Sequence, residues 1–195
     1  TRAYSGHVEH VVRYLLEGGK AEDTKVSLPD LIAARLSMLA QSTRDVLQDA
    51  AVLGIEPQLD LLRSMMPSEQ LEPGLADAEI QGLLGREPSG ELTFASRLAR
   101  EIVYDATPAD VRRSLHATAA AAVEAMSHDL GLLGHHHDLA GHAREAIELL
   151  RTAALTPGII ASSYFRRDLK TWTKENSSPV SEAAIMLDMF LRSAL

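Results

Sequence analysis

Apolar residues recur every three or four positions through most of this 195-residue chain, and glycine or proline interrupts the pattern at short intervals. The clearest stripe consists of Leu28, Leu31, Ile32, Leu36 and Leu39. This spacing is typical of amphipathic helices, because residues three or four apart share one face of a helix. Alanine and leucine dominate the composition and only 4% of the residues are aromatic, which favours helices over sheets. The sequence therefore predicts a mainly α-helical protein.

One segment departs from the helical pattern. In REPSGELTFAS, Pro88, Ser89 and Gly90 predict a turn between two short extended arms. The helical segments before it end in a stretch over residues 68–84, and helices followed by a hairpin are the order of elements in a winged helix. We therefore predict a winged-helix domain with a small β-hairpin over residues 28–95.

Local residue types set the expected helix boundaries in that domain. Ser42 or Thr43 is expected to cap the second helix, because a hydroxyl oxygen can accept from a free amide at a helix start. Gly54 is expected to end that helix. Pro73 and Gly74 are expected either to kink the helix before the hairpin or to mark its start.

The chain after the hairpin predicts a second, helical domain over residues 96–195. A long helix covers PADVRRSLHATAAAAVEAM, and a helix pair joined at Gly141 has the size of one helical-repeat unit, as in TPR proteins. The tail over 156–195 predicts an amphipathic helix and then a second helix that is apolar on most sides. On that tail, Trp172 and Phe190 are candidates for contact with a partner, with core packing as the alternative.

Four stretches resemble one protein family in their order and spacing. They are SGHVEHVVRYLLEGG, LPDLIAARLSMLAQSTRDVLQDAAVLG, LTFASRLAREIVYDATPADVRRSLH and HHHDLAGHAREAIELLRTAA. The family is the bacterial STAND class of signalling ATPases, in the regulatory region attached to class III adenylate and guanylate cyclases, LuxR-type regulators and some Ser/Thr kinases. The resemblance covers about residues 5–154.

The resemblance implies a role within a larger protein. Residues 1–27 would be the last helix of an ATPase core and a linker. The parent protein would bind ATP or ADP with Mg²⁺, and this chain would couple the state of the ATPase to an effector domain. Its implied partners are that ATPase core and that effector.

Three features depart from the family. The sequence has no G-x-x-x-x-G-K-[ST] loop, so the part of an ATPase that cradles phosphate is absent from it. Ser96 stands where the family has a histidine that touches the nucleotide phosphate in the closed state. Residues 156–195 do not match the family's continuing repeats. We therefore expect no catalytic residue and no bound cofactor in this chain, and we do not expect it to be an enzyme.

The charge distribution bears on nucleic-acid binding. The formal net charge is −8, and residues 68–84, which would supply the DNA-reading helix, contain four acidic residues and no basic one. Phosphate would repel such a helix. Two alternatives to the signalling assignment remain, a DNA-binding winged-helix regulator and an adaptor that self-associates through its terminal helices.

Four arginines are candidates for contact with a nucleotide-bearing core: Arg97, Arg100, Arg112 and Arg113. Guanidinium groups suit phosphate and carboxylate partners. The alternative is that these arginines lie on solvated helix faces and pair with neighbouring acidic residues.

Histidines cluster in the second domain and raise a metal hypothesis. Successive helix residues are about 100° apart, so only one of His135, His136 and His137 can share a face with His142. This spacing lacks the tight ligand set of a zinc site, so we predict no metal and expect solvent-facing or capping histidines. Tyr104 and His116 lie twelve residues apart along helical segments, and both are expected to pack against the winged helix rather than to act as an acid–base pair.

The absence of cysteine excludes disulfides, thiolate metal sites and a cysteine nucleophile. No apolar run approaches the roughly 18 to 20 residues that span a bilayer, so we expect no contact with the membrane. The first residues lack the charged-then-apolar pattern of a signal peptide, and a cytoplasmic location is expected.

Overall fold

A computed structural model describes residues 27–126 and 129–155. They form two compact units that divide between Pro108 and Ala109. The described part of the first unit contains α1 (Leu28–Met38), α2 (Gln41–Leu53), α3 (Leu59–Met65), α4 (Ser68–Ile80), β1 (Leu84–Arg86), β2 (Leu92–Phe94) and α5 (Arg97–Ala106). The described part of the second contains α6 (Ala109–Met126), α7 (Leu130–Ala140) and α8 (Ala143–Leu155). The prediction of a mainly helical protein with one small hairpin is confirmed.

Helix α1 begins and packs as its sequence predicts. The Ser27 side chain caps it by accepting a hydrogen bond from the Asp30 amide, and a proline occupies the first turn, where its missing amide costs little. Four residues of the predicted apolar stripe are buried: Leu31, Ile32, Leu36 and Leu39. Their burial against the first unit supplies the hydrophobic stabilisation that a short helix needs.

Helix α2 differs from its prediction at its start. Neither Ser42 nor Thr43 caps it, because the helix begins at Gln41 and the preceding Ala40 makes no side-chain cap bond. Thr43 is 2% exposed, and its hydroxyl is committed to a contact with another helix. The end of α2 at Gly54 is confirmed, with a φ of 118° that favours glycine.

Helix α4 begins at Ser68 and runs through the proline that the sequence offered as an alternative start. Gly74 lies against α2, where an added Cβ would stand 2.5 Å from Cγ2 of Val46 and 3.2 Å from the carbonyl oxygen of Ser42. Glycine therefore permits the close approach of the two helices. Pro73, which precedes Gly74, lies inside α4, and the helix continues on both sides of it.

The hairpin follows α4 and is antiparallel, with Leu84 opposite Phe94 and Arg86 opposite Leu92. Gly90 has a φ of 89° in the predicted turn, which is confirmed. The Phe94 amide donates to the carbonyl oxygen of Ile55 at 2.8 Å, so the loop after α2 holds the second strand in place.

Helix α5 belongs to the first unit, which therefore extends past the predicted boundary at residue 95. It packs against α1 and α2. The Arg100 side chain donates from Nε to the carbonyl oxygen of Ala51 at 2.8 Å and joins α5 to α2. The chain after the hairpin thus completes the first unit before the second begins.

In the second unit, α6 packs against α7 and α7 packs against α8. The predicted helix pair is confirmed, since Gly141 ends α7 in the left-handed region with a φ of 89°. Gly134 allows α8 to approach closely, because an added Cβ would lie 2.8 Å from Cγ of Leu150.

Two predicted segments lie outside the described residues, the helix before Gly18 and the tail over 156–195. Within residues 27–126 and 129–155, no helix is long and apolar enough to cross a membrane.

Candidate functional site

The outward face of α4 is the candidate site in the first unit. Glu69 and Glu72 are exposed on its first two turns, and Ile80 at its end is 72% exposed. Arg63 approaches Glu72 at 3.7 Å, and both side chains are about half exposed. An exposed pair of this kind contributes little stability and leaves the face acidic.

Part-buried polar contacts hold the inward face of α4. The Thr43 hydroxyl on α2 donates to the Asp77 carboxylate at 2.6 Å. Arg35 on α1 is 1% exposed, and its guanidinium donates to the carbonyl oxygen of Gln81 at the end of α4 at 2.8 Å. Charge-assisted hydrogen bonds are short and directional, so these two part-buried bonds help to orient α4 against α1 and α2.

The remaining acidic residue of α4 is tied to the hairpin. The Arg86 Nε donates to the Glu79 carboxylate at 2.8 Å, and each side chain is about one-third exposed. This ion pair neutralises the only basic residue that the two strands carry. The exposed acidic side chains of α4 are therefore those of Glu69 and Glu72, of which Glu72 lies near Arg63.

Asp49 is a buried carboxyl that the sequence reasoning missed. It lies on α2, is 6% exposed, and burial raises its pKa to about 7, with a further contribution from the Asp45 carboxylate one turn earlier. A signal was present in the sequence, because Asp49 stands three residues after Val46 and four before Leu53, on the apolar stripe of α2.

A cavity of about 380 Å³ lies between α1, α2 and α5. The one charged side chain on its walls is that of Arg44, whose guanidinium donates to the carbonyl oxygens of Ser37 and Leu39. These bonds satisfy carbonyl groups at the C-terminal end of α1. The cavity walls therefore hold no pair of acid and base for catalysis. They are formed by Ala33, Leu36, Ser37, Arg44, Leu47, Gln48, Val103 and Ala106.

Ser96 has a structural contact in the described fold. Its side chain caps α5 by accepting a hydrogen bond from the Ala99 amide at 3.1 Å. Arg97, the next residue, is exposed. Arg100 is half-buried, and its guanidinium lies over the Tyr104 ring, 4.7 Å from the centroid. Arg97 is therefore accessible to a partner, whereas Arg100 is held by its own unit.

The second unit contains a buried pair of histidines. His116 on α6 and His136 on α7 are each 1% exposed, and their Nδ1 atoms are 3.0 Å apart. The expectation that the histidines of α7 face solvent or cap a helix is wrong for His136. Its position four residues after Leu132 and three after Leu133 places it on the buried stripe of α7.

A second histidine pair lies at the surface. The Nδ1 atoms of His137 and His142 are 3.2 Å apart, so His137 is the member of the histidine run that reaches His142. Asp138 is half-buried, and burial raises the pKa of its carboxyl. Among the residues that the structure describes, no three histidine or carboxylate side chains are arranged to hold a metal ion.

The predicted interaction residues fall in different parts of the chain. Arg97 and Arg100 lie on α5 in the first unit, whereas the half-buried Arg112 and the exposed Arg113 lie on α6 in the second. Trp172 and Phe190 lie outside the described residues. In comparisons with known proteins, no family model, no curated protein and no solved structure matches this chain.

Proposed function

We propose that this chain is a non-catalytic interaction module of a bacterial nucleotide-dependent signalling ATPase, and that it couples the state of the ATPase to an effector. In this proposal the first unit is a winged helix and the α7–α8 pair is a TPR-like repeat. The observation that carries the proposal is the acidic outward face of α4, the helix that precedes the hairpin.

Electrostatics favour a protein partner for α4. A winged helix that reads DNA brings the corresponding helix into the major groove, where basic side chains displace the counterions of phosphate. The exposed side chains of Glu69 and Glu72 oppose that approach, and residues 68–84 supply no lysine or arginine to offset them. The contacts of Thr43 and Arg35 hold the opposite face of α4 inside the unit. The acidic face is therefore available for docking to a neutral or basic protein surface.

The resemblance to STAND ATPases supplies the proposed partner, a nucleotide-bearing core. The exposed side chains of Arg97 and Arg113 are suited to meet it. Ser96 caps α5 through its own hydroxyl, which accounts for this residue at a position where the family has a phosphate-sensing histidine. In this proposal, nucleotide is bound by the core and this chain responds by contact with the core.

Calorimetric titration of this protein with ATP or ADP and Mg²⁺ tests the proposal. We expect no saturable heat at millimolar nucleotide, because the chain lacks the glycine-rich loop whose amides cradle phosphates. The control is the same titration into buffer. A saturable isotherm with a micromolar dissociation constant would show that the chain carries its own nucleotide site and would overturn the assignment as a module that depends on a separate core.

A further inference from the structure

The buried histidine pair joins α6 to α7 in the core of the second unit. The Nδ1 atoms of His116 and His136 are within hydrogen-bond distance at 3.0 Å, and their ring centroids are 5.2 Å apart. His135 adds a third imidazole, with its ring centroid 5.5 Å from that of His136 and 6.3 Å from that of His116. Three imidazoles therefore meet where the two helices pack.

The pair is compatible with a neutral His136 in either tautomer. One Nδ1 must donate to the other, which accepts through its lone pair. On the far side of the ring, Nε2 of His136 is buried and has no hydrogen-bond partner among the described residues. A second proton on His136 would either remove the Nδ1 lone pair that accepts or create a charged, unpartnered Nε2–H. Both outcomes are costly in a buried position.

The charges around His136 also oppose a proton. Burial lowers the pKa of its imidazole well below 6.5, and His135, His116 and His137 lower it further. On the side of α8, apolar Leu150 packs on α7 at Gly134.

The other titratable and charged groups of the three helices lie farther toward solvent. Arg112, Asp129 and Asp138 are half-buried. The Asp129 side chain caps α7 by accepting a hydrogen bond from the Leu132 amide. The exposed groups are His142, Asp110, Arg113, Glu124, Arg144, Glu145 and Glu148.

We propose that α6, α7 and α8 form an acid-sensitive switch, in which uptake of a proton by His136 opens the packing of α7 against α6. The closed unit keeps His136 neutral, whereas the open unit exposes an imidazole with an ordinary pKa of about 6.5. A pKa that is lower in the folded state contributes stability above pH 6.5, and that stability falls as the pH decreases below 6.5. Because opening takes up one proton, each pH unit below this value raises the opening equilibrium by up to about tenfold.

Amide hydrogen exchange followed by mass spectrometry tests the switch in the native protein. After correction for the intrinsic exchange rate at each pH, exchange of the α7 peptides reports the opening equilibrium of this helix. That equilibrium is expected to rise by up to about tenfold for each pH unit as the pH falls from roughly 6.5 to 5. Peptides from residues 27–108 serve as the internal control and are expected to show no such increase. A flat profile for α7 in the native protein would overturn the proposal.

Two variants locate the proton. His136→Leu removes one imidazole of the buried pair and is expected to make the opening of α7 clearly less dependent on pH over this range. His142→Asn is the matched control, because it removes one imidazole of the exposed His137–His142 pair, and it is expected to keep the native pH dependence. A pH dependence in His136→Leu as steep as that of the native protein would overturn the proposal. If His136→Leu does not fold, the pH dependence of α7 exchange in the native protein still tests the proposal.

Addition of Zn²⁺ tests whether the buried histidine pair binds a metal ion instead. Zn²⁺ added at pH 7 is expected to leave the exchange of α7 unchanged in the native protein. Slower exchange with Zn²⁺ that requires His136 would assign the pair to metal binding and would overturn the switch.

Discussion

At pH 8, the Asp49→Asn variant is expected to be more stable than the native protein by roughly 2 to 4 kcal/mol, and at pH 4 the two are expected to have similar stability. The Asp49 carboxyl is 6% exposed, and burial raises its pKa from 3.8 to about 7. A pKa that is higher in the folded state means that stability is fully present below pH 3.8 and is lost as the pH rises through about 7. Asparagine stays neutral throughout and avoids this loss.

Denaturant unfolding of both proteins at each pH from 4 to 8, followed by circular dichroism, measures the difference directly. Comparison at the same pH removes the contributions of the other titrating groups. Asp45→Asn is the control, since it removes the neighbouring charge and keeps the buried carboxyl, and its gain is expected to be smaller. A stability difference that does not change between pH 4 and 8 would contradict the burial of an ionisable Asp49.

Gly74→Ala is expected to destabilise the first unit by about 1 to 3 kcal/mol, although alanine is the better helix former by about 1 kcal/mol. The new Cβ would stand 2.5 Å from Cγ2 of Val46, and a β-branched side chain in a helix has few rotamers with which to move away. Denaturant unfolding measures the loss. Gly85→Ala is the matched control, because nothing lies within 4 Å of an added Cβ there.

The double variant with Val46→Ala tests whether the loss comes from this contact. If it does, Gly74→Ala should cost less in the Val46→Ala background than in the native protein, with a coupling energy of about 0.5 to 3 kcal/mol. Equal costs in both backgrounds would assign the effect to another cause. A stabilising Gly74→Ala would mean that α4 lies farther from α2 than the structure places it.

The elements that the sequence predicted well are those set by local rules. Apolar spacing predicted the burial of Leu36, and glycine predicted the ends of α2 at Gly54 and of α7 at Gly141. The turn residues around Gly90 predicted the hairpin. In each case the determining interaction lies within a few residues along the chain.

The failures involve polar groups whose partners are distant in sequence. Ser42 or Thr43 is predicted as a helix cap because hydroxyls are favoured there, yet the Thr43 hydroxyl bonds to Asp77, 34 residues away. The histidines of α7 are predicted to face solvent or to cap a helix, yet His136 is buried beside His116, 20 residues away. A buried polar group either forms a hydrogen bond or lowers the stability of the fold. The sequence does not show which partner the fold supplies. Such residues, Asp49 among them, were recognisable only by their position on an apolar stripe.

The proposal that α4 docks to protein rather than DNA is tested most directly by retardation of a random DNA duplex. Low salt is the most demanding condition, because phosphate attraction is then least screened. At about 50 mM salt, with protein above the roughly 10⁻⁴ to 10⁻⁶ M typical of non-specific binding, we expect no retardation by the native protein. Glu69→Lys with Glu72→Lys reverses both exposed acids, leaves Asp77 and Glu79 in their contacts, and provides a comparison expected to bind DNA more readily. Retardation by the native protein that weakens steeply as salt rises would contradict the docking assignment and favour a DNA-binding regulator.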